Sequence, residues 1–279
     1  MEPAFLDDRA IIAISGPEAR DFLQGLVTND VADGLAPGVG LYTALLSPQG
    51  KILFDFLVTE GDGALLLDCA RSSRDALLRK LKMYKLRAKV EIEARDQLAV
   101  YSNLKGHPAN RDVSYADRAI TFADPRMTEL GMRSIGAIAE MPAQLAGADA
   151  YHRMRLALGV PEGSDFGSEK IFALDAGLEE LHGVSFTKGC YIGQELTSRM
   201  KHRATARKRI LMAAAQSDLP QSGSLTRGGG EIGEILSSYG PRAFVLVRLD
   251  RLEETQGEIA AGEIPVELSR PKWLAGASA

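Results

Sequence analysis

Three apolar runs between residues 39 and 69 constrain the fold of this chain most. The runs VGLYTALL, KILFDFLV and ALLLDC are separated by the turn sequences Ser-Pro-Gln-Gly and Gly-Asp-Gly. Runs of this length, joined by turns this short, are typical of neighbouring antiparallel strands. The run IIAI at 11–14 predicts a further strand, which leads into a helix within SGPEARDFLQGLVTNDV. The N-terminal third is therefore predicted to form an antiparallel meander with a helix beside it.

The rest of the chain mixes helices and strands without a regular alternation. Residues 71–87 predict a helix whose basic residues face outward. Its inward residues are Leu77, Leu78, Leu81 and Tyr84. Short strands are predicted at 98–104 and 119–122, separated by the polar segment KGHPANRD, and a helix from 148 ends at Gly159. After residue 207, short strands and glycine turns predict a small C-terminal β-barrel or sandwich. This order favours an α+β fold over a doubly wound sheet.

Composition excludes several classes of protein. The chain has 279 residues, 45% of them hydrophobic, and a net charge of −4. This length predicts two domains or three small ones, and the charge argues against coating nucleic acid or an anionic membrane. No apolar run approaches the ~18 residues of a membrane span, and acids stand near the start where a secretory signal carries basic residues. We therefore expect a cytoplasmic protein. Its two cysteines are expected to be free, and its four histidines lack the spacing of a metal site.

Two glycine-rich segments are similar to phosphate-binding motifs. GGGEIG at 228–233 has the letters of a dinucleotide fingerprint, but it is bracketed by short strands, so a hairpin turn is the better interpretation. SPQGK at 47–51 lacks the first glycine of a phosphate loop, and Ile52 replaces the hydroxyl that would hold magnesium. A plain turn is predicted there as well.

The segment FTKGCYIGQELTSR at 186–199 concentrates chemically active side chains. If Thr187 caps a helix, Cys190 lies at its third position, beside unsatisfied backbone N–H groups and Lys188, and both favour the thiolate. Gly193 weakens a helix, so its presence indicates the close approach of backbone or ligand. Glu195 and Arg199 have the spacing of an ion pair. A reactive thiol is one interpretation, and a cysteine acting as a small hydrophobic residue is the other.

The same segment opens a basic strip that contains a single acid, Glu195. Its cations are Lys188, Arg199, Lys201, Arg203, Arg207, Lys208 and Arg209. Such a strip would suit a small molecule with several carboxylates or a short nucleic-acid contact, and it could also be a solvated connector into the barrel. Few aromatic residues accompany the cations, which argues against stacking of single-stranded nucleic acid.

KGCYIGQE at 188–195 resembles the K-G-C-[FY]-x-G-Q-E motif of the YgfZ family. These are tetrahydrofolate-binding proteins of iron–sulfur cluster assembly and repair, related to the aminomethyltransferase of the glycine cleavage system. Four further stretches are similar in the expected order: 15–31, 45–58, 158–163 and 182–199. The resemblance covers nearly the whole chain. GVSFTKGCYIGQEL is similar to the mitochondrial branch, which acts late in the maturation of [4Fe-4S] proteins and has bacterial counterparts.

The resemblance implies a three-domain ring with the aminomethyltransferase fold. Its parts would be an N-terminal folate-binding domain (1–45 and 148–205), a second α+β domain (46–147) and a C-terminal β-barrel (206–279). Tetrahydrofolate would lie in the central opening, with Cys190 as the key thiol and no stably bound metal. The residues implied to line or support that site are Lys188, Gly189, Tyr191, Gly193, Gln194, Glu195 and Arg199. The basic strip is our candidate contact for the glutamate tail of the folate.

Departures from the related aminomethyltransferases affect the expected function. Their R-x-E-x-G stretch supplies a carboxylate that holds the pterin, whereas Ala157 stands at that position here, and we align no counterpart of their catalytic aspartate. The family's P-x-E stretch reads Ala173-Leu-Asp175 here. We therefore expect an accessory factor that binds tetrahydrofolate and works with iron–sulfur client or assembly proteins, and not a conventional enzyme. The alternative is a folate-dependent one-carbon transferase that moves aminomethyl or methyl groups.

Overall fold

The computed structural model describes residues 3–103, 119–140, 145–202 and 207–274. Within them the strands are β1 (Ala4–Phe5), β2 (Arg9–Ser15), β3 (Gly40–Leu46), β4 (Ile52–Gly61), β5 (Ala64–Ala70), β6 (Glu91–Ala94), β7 (Leu98–Asn103), β8 (Ile120–Ala123), β9 (Met132–Ala137), β10 (Lys208–Ala214), β11 (Gly223–Arg227), β12 (Gly230–Tyr239), β13 (Arg242–Arg248), β14 (Ile259–Ala261), β15 (Ile264–Pro265) and β16 (Glu267–Ser269). The helices are α1 (Ala19–Gln24), α2 (Val31–Gly34), α3 (Arg74–Lys85), α4 (Ala148–Leu158), α5 (Gly163–Phe166), α6 (Gln194–His202) and α7 (Leu249–Glu254).

The predicted meander is confirmed as part of a five-stranded antiparallel sheet with the order β3-β4-β5-β2-β6. Alternate residues of its strands pack against α1 and α3, since side chains of a strand point to opposite faces in turn. In α3, Leu77 and Leu81 are buried, and Leu78 and Tyr84 pack against the same core. Both predicted helices next to this sheet are therefore present.

A second sheet has the order β1-β7-β9-β8, and its first strand comes from the N-terminus. The strands predicted at 98–104 and 119–122 are confirmed as β7 and β8. The segment KGHPANRD between them lies outside the described residues. The predicted domain division at residue 46 remains a prediction, but β3 and β4 pair in one sheet across it, with Thr43 opposite Phe56.

The predicted C-terminal barrel is a seven-stranded, nearly closed sheet with the order β15-β14-β11-β12-β13-β10-β16. GGGEIG supplies the hairpin turn between β11 and β12, as expected, with Gly228 and Gly229 in the turn at positive φ (56° and 85°) and its last four residues in β12. The SPQG segment is also a turn, in which the backbone N–H of Gly50 donates to the carbonyl of Ser47 (2.8 Å). Neither glycine-rich segment opens a helix.

One buried core joins the three sheets. It contains Ile11 from the first sheet, Phe122 from the second and Phe244 from the barrel. α4 crosses this core and ends at Gly159, which takes the left-handed conformation (φ 73°) that closes a helix. The segment that follows α4 returns through the same core and leads to residues 186–193, here called the motif loop.

Candidate functional site

Cys190 lies in the motif loop and not in a helix, so its predicted place at a third helical position is wrong. α6 begins only at Gln194. The residue before it, Gly193, has a φ of +83°, which a right-handed helix does not accommodate. Thr187 caps no helix, and its hydroxyl lies 3.2 Å from that of Ser185. The helix N-terminus therefore forms four residues after the thiol, and Cys190 is exposed.

Lys188 points into the protein from the base of the motif loop. Its ammonium donates to three backbone carbonyls, those of Gln24 (2.6 Å), Val27 (2.6 Å) and Asn29 (2.9 Å). Three carbonyls use all three donors of an ammonium group. Burial lowers the pKa of Lys188 to about 8, with the charge of Asp30 opposing that shift. The side chain therefore anchors the loop and has no donor left for a ligand.

A second set of hydrogen bonds braces the chain ahead of the motif loop. The hydroxyl of Thr28 donates to the carbonyl of Gly183 (2.6 Å), and the amide of Asn29 donates to that of His182 (2.7 Å). Both donors belong to the loop between α1 and α2 that also binds Lys188. This loop is therefore the support on which the motif loop is held.

Tyr191 follows Cys190 and faces the opposite way. It is 7% exposed and belongs to the core shared by the three sheets. The ammonium of Lys188 lies 5.2 Å from the centre of its ring, within the range of a cation–π contact. Burial raises the pKa of Tyr191 to about 12. Lys188 and Tyr191 therefore support the site from inside, whereas Cys190 lies at the surface.

The two glycines of the motif differ in role. A Cβ at Gly193 would lie 2.6 Å from the carbonyl oxygen of Ser47 and 2.9 Å from the Cβ of Leu46, so the predicted close approach is that of backbone in the SPQG turn. A Cβ at Gly189 would meet no atom within 4 Å. Gly193 thus docks the motif loop onto the first sheet, while Gly189 faces open space beside the thiol.

The remaining predicted site residues lie on the first two turns of α6. Gln194 is half-buried, whereas Glu195 and Arg199 are exposed and form the predicted ion pair (2.7 Å). An exposed pair of this kind contributes only a few tenths of a kcal/mol to a helix. Gly189, Cys190, Gln194, Glu195 and Arg199 are therefore the members of the predicted set with solvent-accessible surface to offer a ligand.

Much of the basic strip is already paired within the protein. Lys201 forms an ion pair with Glu179, and Arg209 binds Glu180 (3.1 Å). Arg203 lies outside the described residues. Arg207 and Lys208 are exposed and line a cavity of about 210 Å³ beside Asp175. The cations available to a small anion are thus fewer than the sequence predicts.

Sequence reasoning did not predict a large buried charge cluster where the sheets meet. Its arginines come from β2, β9, the β8–β9 connection and α4, and its acids from β4, β5, the end of β8 and the α5 region. The members are Arg9, Asp55, Asp68, Asp124, Arg126, Arg133, Tyr151, Arg155, Glu162 and Asp165. All are at most 7% exposed. This cluster connects the first and second sheets with α4 and α5.

Tyr151 lies at the centre of the buried charge cluster. Its hydroxyl accepts hydrogen bonds from Arg126 and Arg133 (2.6 Å each) and donates one to Glu162 (2.5 Å). Although burial opposes ionisation of Glu162, the surrounding arginines, Arg155 first, hold its pKa well below its usual range. The carboxylate therefore stays ionised and fixed, as buried charges require partners.

Asp55 is the acid of the cluster that forms no ion pair with an arginine among the described residues. It accepts hydrogen bonds from the hydroxyl of Tyr42 (3.1 Å) and the backbone N–H of Gly163 (2.9 Å). Burial and the charge of Glu162 raise its pKa. The sequence signal for the buried charge cluster was the presence of acids and arginines inside otherwise apolar stretches, such as Arg155 and Glu162 around LGVPEG. The members of the cluster lie far apart along the chain, so the sequence did not predict that they converge.

The fold of this chain has a known structural counterpart. The structure matches the crystal structure of the glycine cleavage system aminomethyltransferase T from Bartonella henselae with a TM-score of 0.75, over 96% of this chain and 85% of that one. The two sequences are 16% identical, so this likeness establishes the fold alone. The predicted α+β fold of the aminomethyltransferase type is confirmed.

Sequence comparison gives the family. Residues 207–276 match the model of the CAF17 C-terminal beta-barrel domain. The chain is 34% identical to the human mitochondrial iron-sulfur cluster assembly factor IBA57, over 96% of this chain and 84% of that protein. It is 32% identical to the mouse protein, over 89% and 78%. The chain belongs to the IBA57 family.

These relatives are mitochondrial by name, whereas a cytoplasmic location was expected for this chain and remains a prediction. Among the described residues, no helix is both long and apolar enough to cross a membrane.

Proposed function

We propose that this protein is a tetrahydrofolate-binding accessory factor for the assembly or repair of iron–sulfur proteins, acting through Cys190. The relatives that carry the name of iron-sulfur cluster assembly factor support the assembly role, since they align over most of their length. Its partners would be iron–sulfur client or assembly proteins.

The single observation that carries the proposal is an exposed thiol on a loop anchored from behind. Cys190 is exposed, whereas its neighbours Lys188 and Tyr191 are buried. A thiolate is the preferred ligand of iron in iron–sulfur clusters and a strong nucleophile. A loop fixed by Lys188 presents this sulfur without the entropy loss of ordering a flexible segment. The thiol can therefore contact a cluster carried by a partner.

The exposed residues of the motif fit a folate in their chemistry. The carboxylate of Glu195 can accept hydrogen bonds from the amino and ring N–H groups of a pterin, and the amide of Gln194 can both donate and accept. Arg199 suits a carboxylate of the glutamate tail, once released from Glu195. The open space at Gly189 lets a flat ring approach the backbone. Bound tetrahydrofolate would supply a carrier of one-carbon groups beside the thiol.

The decisive experiment complements a deletion strain of the source organism with Cys190→Ala or Cys190→Ser. We expect both variants to lose the activity of [4Fe-4S] enzymes as the deletion does, with unchanged amounts of folded protein. Cys69→Ala is the matched control, because Cys69 is buried in β5 and burial raises its pKa to about 12. If Cys190→Ala restores full enzyme activity, the proposed role of the thiol is refuted.

Folate binding is tested separately by calorimetric titration with tetrahydrofolate. We expect binding to wild type and to Cys190→Ala, and at least tenfold weaker binding to Glu195→Gln/Arg199→Gln. Equal affinity of the double variant would show that Glu195 and Arg199 do not contribute to the folate site. No measurable binding to wild type would refute the folate half of the proposal.

The alternative function, one-carbon transfer to folate, has the likeness to aminomethyltransferase T as its support, and that likeness establishes fold alone. Ala157 supplies no carboxylate, and Glu162, five residues further on, is fully engaged by arginines and Tyr151. We therefore expect no 5,10-methylene-tetrahydrofolate when the protein is mixed with tetrahydrofolate and aminomethyl or methyl donors. Formation of that product would favour the transferase.

A further inference from the structure

The outer side of α3 and the segment after it form a strongly basic surface. Residues 76–90 contain six cations and no acid, in a chain whose net charge is −4. The cations are Arg79, Lys80, Lys82, Lys85, Arg87 and Lys89, here called the α3 basic face. This surface is separate in sequence from the motif loop and from the basic strip that follows it.

The charges of the α3 basic face are unpaired. Across the described ranges, none of the six cations takes part in an ion pair, and Arg79, Lys82, Arg87 and Lys89 are exposed. Acids border this surface without forming an ion pair with its cations. Glu18 accepts from the backbone N–H of Lys89 (2.9 Å), Glu93 of β6 pairs with Arg95, and Glu91 is exposed beside them. Like charges left close together repel, so the surface gains from an acidic counterpart.

Two apolar side chains stand within this charged surface. Met83 is 58% exposed and Leu86 is 88% exposed, the highest value among the large hydrophobic residues of the described chain. Leu86 also has a positive φ of 44°, a conformation that a leucine adopts only under constraint. The backbone is thus held in an unfavourable conformation at the position where a large apolar side chain is fully displayed. Such outliers concentrate at functional sites.

We propose that the α3 basic face, with Met83 and Leu86 as its apolar anchors, is the docking surface for a partner protein that presents an acidic surface around an apolar depression. Apolar anchors inside a charged rim are the usual anatomy of a protein–protein interface. The proposal rests on the proposed function only in the class of that partner, an iron–sulfur assembly or client protein.

The observations favour a protein over the other polyanions. Single-stranded nucleic acid is bound by exposed aromatic rings, but Tyr84 packs against the core and lies 5.4 Å below the ammonium of Lys80. A membrane-bound amphipathic helix inserts its apolar face, but that face of α3, with Leu77 and Leu81, is buried in the protein. Two exposed side chains suit a pocket on a folded partner.

The test begins with a photo-crosslinking amino acid at Met83 of the full-length protein in cells, and the same group at exposed Lys272 on the barrel as control. We expect one acidic protein to crosslink at position 83 and not at 272. That protein is then purified and titrated with wild type and variants. Crosslinks at 83 to lipid or nucleic acid alone would overturn the proposal.

Two variants separate the contributions of charge and apolar contact. Lys82→Glu/Arg87→Glu should weaken binding at least tenfold, and the effect should shrink at high salt. Leu86→Gly removes the anchor while accepting the positive φ, so it should weaken binding about tenfold without loss of folding. Arg242→Glu/Lys272→Glu replaces two exposed cations of the C-terminal region and should change the affinity less than about twofold. If the variants of the α3 basic face and the control variant on the barrel weaken binding equally, the docking surface is refuted.

The outcome also distinguishes this proposal from the proposed function. If the crosslinked acidic protein has no part in iron–sulfur assembly, and deletion leaves [4Fe-4S] enzymes active, the surface stands and the proposed function fails. If deletion lowers those activities while the α3 variants bind and complement like wild type, the function stands and the surface fails.

Discussion

The buried charge cluster and the motif loop both concentrate polar side chains, but they use them in opposite ways. In the cluster, arginines, acids and Tyr151 bind one another, and none is more than 7% exposed. In the motif loop, Lys188 binds backbone carbonyls behind the loop, and Cys190 is left exposed. The first arrangement fixes the sheets relative to one another. The second fixes a backbone and leaves one reactive side chain free.

The difference shows how structural and functional residues can be distinguished within a short motif. The residues of K-G-C-Y-I-G-Q-E are adjacent in sequence, yet Lys188 and Gly193 make contacts within the protein that hold the loop in place. A loss of function in a variant of either residue therefore reports on loop position as much as on chemistry. Stability measurements beside functional ones distinguish the two.

The largest effect is expected in the buried charge cluster. Arg133→Met removes hydrogen bonds to Asp68 and Tyr151 (2.6 Å each). Arg126 still donates to Tyr151, but Oδ2 of the buried Asp68 loses its donor. We expect a loss of about 3–5 kcal/mol in the free energy of unfolding, measured with urea. Arg153→Met, on the exposed side of α4, should cost less than about 0.5 kcal/mol. A loss below about 1 kcal/mol for Arg133→Met would contradict the role of the cluster.

A smaller effect is expected behind the motif loop. Lys188→Met keeps the length of the side chain but deprives three carbonyls of their donor, which we expect to cost about 3 kcal/mol. Amide hydrogen exchange should also accelerate at residues 24–29. Lys170→Met is the exposed control and should leave both measurements unchanged. Unchanged stability of Lys188→Met would instead indicate that this ammonium is available to a ligand.

The two glycines of the motif sharpen the comparison further. Gly193→Ala should cost about 2 kcal/mol, because the methyl group meets Ser47 and the φ of +83° is strained for alanine. Gly189→Ala should change the free energy of unfolding by less than about 0.5 kcal/mol. Urea titration of both variants tests this difference. A Gly189→Ala protein that is stable but binds tetrahydrofolate weakly would place a ligand at Gly189, whereas equal destabilisation would contradict the assigned roles.

Sequence periodicity was sufficient for β2 to β5, β7, β8, the barrel and α3, because each depends on local alternation of apolar residues and on turn chemistry, but it did not predict β1, β6 or β9. It was not sufficient for the start of α6. Thr187 is a suitable helix cap by local criteria. The helix does not start there, because Gly193 packs against Ser47, a residue 146 positions away in the sequence. The pairing of Arg9 with Asp68 is equally non-local. Position within the site was thus decided by tertiary contacts that no short segment encodes.

Asp175 is intermediate between the buried charge cluster and the motif loop, because it is buried and one of its carboxylate oxygens lacks a hydrogen bond. It is 6% exposed, and its Oδ1 has no hydrogen-bond partner among the described residues. Burial raises its pKa to about 6, although the charges of Arg209 and Lys208 oppose the shift. Since the folded state binds this proton more tightly than the unfolded state, stability falls as the pH rises from about 4 to about 6, and the cost persists above that range.

Asp175→Asn removes the charge and keeps the shape, so the smallest effect, a gain, is expected there. We expect about 1–2 kcal/mol of added stability at pH 7.5, with the difference vanishing near pH 4, where the wild-type carboxyl is protonated. Urea unfolding at the two pH values measures it, and Asp218→Asn on the exposed barrel surface should show no such dependence. A loss of stability at pH 7.5 would mean that the carboxylate has a favourable partner, which would move Asp175 into the class of the buried charge cluster.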